Sequence, residues 1–134
     1  MSATTTLDKL CTYLDTALDG DADVWRGQLP EGYSNADPAV VVSMQTEAHH
    51  QSRADRAVRF EVRVYGGSAA SSDAAILGEE VIELLNNAAS YALDIQRIGD
   101  ISGQELPPEP ATGWPSYRVT GLARIVNDSI DSGT

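Results

Sequence analysis

From Ala57 to Tyr65 the chain alternates without a break: Val58, Phe60, Val62 and Val64 are apolar, while Arg59, Glu61, Arg63 and Tyr65 between them are polar or amphipathic. Side chains repeat every second residue on an extended strand and every 3.6 residues on a helix, so this stretch is a strand with one dry face. A strand of that kind needs sheet neighbours, and its dry side needs a cover supplied by other parts of the chain.

Two amphipathic segments supply the cover. Leu7, Leu10, Cys11, Leu14, Ala17 and Leu18 recur at helical spacing and predict a helix from Thr5 to Leu18. The threonine run is read as its N-cap, Asp8 as favouring its first turn, and Gly20 as its stop. A second helix is expected from a cap at Ser71 or Ser72 to about Asn87. Ile76, Leu77, Val81, Leu84, Leu85 and Ala88 form its apolar face, and Glu79, Glu80 and Glu83 its wet one. Asn86-Asn87 is read as a left-handed stop.

The remaining strands are read at Val24-Trp25-Arg26, at Ala39 to Gln45 after Pro38, at Tyr91 to Gln96, and at Ser116 to Val126. Leu29 to Pro38 and Thr46 to Arg56 read as loops, and Gly99 to Trp114 as a long proline-rich excursion. The expected order is α-β-β-β-α-β-β. This is an α+β domain over residues 1–126, with two helices on one face of a mainly antiparallel sheet of four to five strands. A polar tail of residues 127–134 is expected to fray.

Charge narrows the function. Twenty acidic residues face nine basic ones for a formal net charge of -11, and Lys9 is the only lysine. Such a surface repels phosphate and disfavours specific nucleic-acid binding. Acid excess with almost no lysine also suits a protein that works in concentrated salt, and a halophilic origin is expected on that ground. Cys11 is the only cysteine, so there is no internal disulfide or cysteine zinc site, and a cytosolic setting fits. The N-terminus lacks the basic and apolar regions of a secretory signal, and no apolar run is long enough to span a membrane.

No constellation points to chemistry. Glu47, His49 and His50 lie close together, but spacing fixes no metal geometry. Glu79 and Glu83 share a helix face without the Glu-x-x-His partner of a bundle metal site. Gly66-Gly67 lacks the lysine and spacing of a phosphate loop and reads as a tight turn. No nucleophile elbow occurs, and Cys11 sits on an apolar stripe. The expectation is a binding protein, not an enzyme, with no cofactor and no metal.

Two features are candidates for a subunit or partner interface. One is the polar face of the alternating strand, Arg59, Arg63 and Tyr65, extended by Arg118 and Arg124 if the last strand lies beside it. The ordinary alternative is a wet sheet face paired through Glu61. The other is Leu106, Pro107, Pro108 and Trp114, either a docking arm or a plain crossover loop.

The segments Val24 to Gln45, Val58 to Asn87 (FEVRVYGG, then SSDAAILGEEVIELLNN) and Tyr117 to Val126 (YRVTGLARIV) resemble, in order and pattern, the tail terminator or tail-completion proteins of long-tailed viruses. The resemblance implies a subunit that associates with itself as a hexameric ring, caps the tail tube protein and meets the head-tail connector protein, in the neck region of a virion assembled in the host cytoplasm. With the acid excess it suggests the virus of a salt-loving archaeal host. Other readings of the same residues are a neighbouring neck connector, or a cellular domain that binds a small ligand between helices and sheet.

Overall fold

A computed structural model describes residues 3–49, 55–88 and 97–126. Its elements are α1 (Ala3–Ala17), β1 (Asp23–Arg26), β2 (Ala39–His49), β3 (Asp55–Tyr65), α2 (Ser71–Asn86), β4 (Arg97–Leu106) and β5 (Ser116–Val126). The five strands form one sheet in the order β1-β2-β3-β5-β4. Only β1 runs parallel to its neighbour, β2; the other pairs are antiparallel. Both helices cover the same face, α1 over β1 and β2, and α2 over β3, β4 and β5. The α+β architecture and element order are those expected.

The dry face of the alternation is the centre of the core. Val58, Phe60, Val62 and Val64 are fully buried, together with Val40 and Val42 of β2, Leu10 and Leu14 of α1, Val81 of α2 and Val119 of β5. Tyr13 of α1 donates its hydroxyl proton to the carbonyl of Leu84, 2.6 Å away, tying the helices together. Cys11 packs against this core, and burial pushes its thiol up to about 11, so it stays a neutral, hydrophobe-like group.

Glycines let the helical layer approach the sheet. The Tyr117 ring lies between Gly78 of α2 and Gly103 of β4. A Cβ at either position would overlap the ring. At the end of β3, a Cβ on Gly66 would meet the backbone nitrogen of Ala74 at 2.6 Å, so the glycine lets α2 start against the strand end. Gly67 adopts a positive φ of 79°, as the turn reading requires.

Several local expectations are corrected. The segment Thr46 to Arg56 is not one loop: β2 continues to His49 and β3 begins at Asp55. A register shift between Met44 and Thr46 interrupts the alternation there, which hid the strand. The excursion Gly99 to Trp114 is likewise half strand. β4 is an edge strand with Gly103 under Tyr117 and an irregularity between Gly99 and Ser102, where Asp100 takes a positive φ of 52°. The strand expected at Tyr91 to Gln96 falls outside the described residues, as does the tail 127–134.

The helix ends differ in detail too. α1 begins at Ala3, so the threonines lie within it instead of before it. Asp8 lies beyond the first turn, where its carboxylate pairs with Arg26 at 2.8 Å. Gly20, with φ 85°, does stand just past the helix end. The N-cap of α2 is Ala70, with no side-chain cap. Ser68 organises this turn instead: its hydroxyl accepts from the Ala70 N–H and donates to the Asp73 carboxylate. Asn87 is right-handed (φ -99°, ψ -1°), and its N–H and side-chain amide bond back to Glu83.

Candidate subunit interface

Helices cover one side of the sheet and leave the other open. The open face carries the second set of the alternation. Register places Arg63 directly opposite Arg118, Glu61 opposite Thr120, and Arg59 opposite Leu122. The condition for joining the strands' arginines is therefore met: β3 and β5 are neighbours. Position 124 lies opposite Ala57 on one side and Arg97 on the other, in the same alternation.

Glu61 is the hub. Its carboxylate, 15 % exposed, meets Arg63 at 3.2 Å and Arg118 at 3.9 Å. Arg118 also donates to the Gln104 side-chain oxygen at 2.8 Å, and Arg59 lies 4.0 Å from Asp100. One carboxylate between two guanidinium groups leaves the centre of this face positive. Arg63 Nε is enclosed with no acceptor among the described residues. Contacts as exposed as Arg59–Asp100 contribute about 0–1 kcal/mol and hold nothing in place.

One end of the face is closed by the chain's own loops. Tyr33, Tyr65 and Trp114 meet edge to face, with ring centroids 6.0, 5.4 and 6.4 Å apart. Each such contact contributes about 0.5–1.5 kcal/mol beyond the area it buries. Tyr65 donates its hydroxyl proton to Glu109 at 2.9 Å, and Tyr33 donates to the Asp37 carbonyl at 2.8 Å. The Asn35 side chain, buried despite its polarity, donates to the Ser68 carbonyl at 2.9 Å. The loop after β4 closes on itself, with Gly113 N–H donating to the Glu109 carbonyl and Glu109 N–H to that of Trp114. Trp114 thus packs within its own chain, while Leu106 ends β4 half-buried and Pro107 and Pro108 are exposed beside it. Sequence reasoning missed this triad, because it joins loops distant in the chain and only Tyr65 lies in a periodic segment.

Burial, reinforced for Tyr65 by its bond to Glu109, pushes both phenols from the ordinary value of 10.0 up to about 12. The fold favours the protonated phenol. Its contribution to stability is therefore complete below pH 10 and is lost as the pH climbs towards about 12. An absorbance titration is expected to show Tyr33 and Tyr65 ionising late, along with loss of structure. Ionisation of every tyrosine near pH 10 with the fold intact would contradict this.

Among the described residues no group of three His, Cys, Asp or Glu side chains could hold a metal ion. Glu47 and His49 lie on β2, opposite Val58 and Arg56, and His50 falls outside the described residues. No helix among the described residues is long and apolar enough to cross a membrane.

No protein-family model matches the sequence, and no curated protein matches it either. Among solved structures, the fold is similar to the sheath/tube terminator of an extracellular contractile injection system, PVC, in its extended state. The likeness has a TM-score of 0.54 at 11% identity and covers 94% of this chain, which spans 57% of the length of that terminator. At that identity the likeness is one of fold alone.

Proposed function

We propose that this chain is a structural virion subunit that closes into a ring at the head-side end of a viral tail tube, ends the tube there, and joins it to a head-side connector. The observation that carries the reading is the likeness of fold to a sheath/tube terminator over 94% of the chain. The open, arginine-bearing sheet face supports it as a surface for contact between subunits, with Arg59, Arg63 and Arg118 at its centre and Leu106, Pro107 and Pro108 along one margin, while Tyr65 and Trp114 are taken up by the chain's own loop packing. Such work requires no catalysis. It requires a rigid unit with unlike faces, because head-to-tail contacts with the right rotation close into rings.

Locating the chain in a purified tailed particle tests the proposal. Labelling with an antibody or a fused tag is expected to mark one spot, where tail meets head. Label spread along the tail, or absent from the particle, would contradict it.

A further inference from the structure

Two surfaces of this molecule carry opposite charge. The open sheet face holds three arginines against two carboxylates, Arg63 and Arg118 on Glu61 and Arg59 near the exposed Asp100, in a chain of net charge -11. On the far side of the molecule, α2 turns one stripe to solvent: Ser72, Ile76, Glu79, Glu83 and Asn86, at spacings of three and four residues. Ile76 is 64% exposed, the most exposed large apolar side chain among the described residues, and it lies one turn from Glu79 and two from Glu83. That stripe has an apolar start and an acidic continuation. The sheet face answers it, with Leu122 beside Arg59, and Arg63 opposite Arg118.

We infer that the outer stripe of α2 in one copy docks on the open sheet face of the next copy, Glu79 and Glu83 meeting its arginines and Ile76 its apolar positions. This rests on the ring reading above and names the two faces that make the ring. Of the three ways to pair these surfaces, two are symmetric. Sheet on sheet would set arginines against arginines, and helix on helix would set glutamates against glutamates. Only the unlike pairing brings opposite charges together, and an unlike pairing repeats head to tail instead of stopping at a dimer. It also lays a helix over the sheet's open face, where Leu122 offers an apolar contact. In molar salt the screening length falls to about 3 Å, so the pairs that count are carboxylate and guanidinium groups in direct contact.

A charge swap tests the pairing. The helix variant is Glu79→Arg with Glu83→Arg, both at exposed positions. The sheet variant is Arg59→Glu with Arg118→Glu, which leaves the closer Arg63–Glu61 pair intact. Melting by circular dichroism confirms that each folds, and Ile76→Asp provides a third, exposed probe should the sheet variant not fold. Native masses are then measured at low and at molar KCl. The expected result is an assembled wild type, each variant alone monomeric, and an equimolar mixture that regains the wild-type mass, because every contact in an alternating assembly is again between opposite charges. Folded variants that assemble alone, or that never assemble when mixed, would overturn the pairing while leaving a wild-type ring in place. Open filaments that depend on these residues would keep the pairing and refute the ring. A wild type that stays monomeric throughout refutes both.

Discussion

Replacing Phe60 by alanine is expected to lower the unfolding free energy by about 3–5 kcal/mol, a large part of the roughly 5–15 kcal/mol that holds a domain of this size together. Phe60 is fully buried on the helix-facing side of β3, directly opposite Gly121 of β5. The glycine forms the slot for the ring, since a Cβ there would sit 2.6 Å from Phe60 Cζ. Gly121→Leu alone is therefore expected to cost about 1–3 kcal/mol through overpacking. Combining the two changes should cost less than their sum, because the leucine fills the space that the ring vacates. Urea denaturation of the wild type, both single variants and the double variant measures the cycle. Strict additivity would show that the two positions do not share one cavity.

The second large effect is expected at Trp114. Its ring supplies two of the three edge-to-face contacts that fold the loop after β4 over Tyr65. Trp114→Ala should cost about 2 kcal/mol, less than a fully buried tryptophan because the ring is only half-buried. The change should also let water reach Tyr65, whose phenol is held at about 12 chiefly by burial. Its titration should then move down towards 10.0, and the loop should become open to proteases. A variant with unchanged tyrosine titration and unchanged protease resistance would show that the triad does not seal this end of the sheet.

The legible parts of this protein are those in which one periodicity runs unbroken. Val58 to Tyr65 and Tyr117 to Ala123 repeat every second residue, and the stripes of α1 and α2 repeat as an amphipathic helix must, so layers and element order can be read directly. The interrupted parts are not legible. The shift at Met44/Thr46 breaks the phase of β2, and the glycines and positive-φ Asp100 of β4 mimic a loop. Capping is obscured for a related reason: serines stand at every position from Ser68 to Ser72 except Ala69 and Ala70, and propensity cannot tell which of them closes the turn. Of the candidate interface, the alternation itself assigns Arg59 and Arg63 to one face of their strand, and Arg118 to one face of its own. The pairing of β3 with β5 and the aromatic triad depend on long-range packing, which no local pattern encodes.

If copies of this chain bind each other through unlike faces and close, sedimentation of the purified wild-type protein shows it most directly, over a wide concentration range in low and in molar KCl. A single closed species near six subunits, seen as rings by electron microscopy, is the predicted result. A solitary chain at the highest concentration in both salts would contradict it.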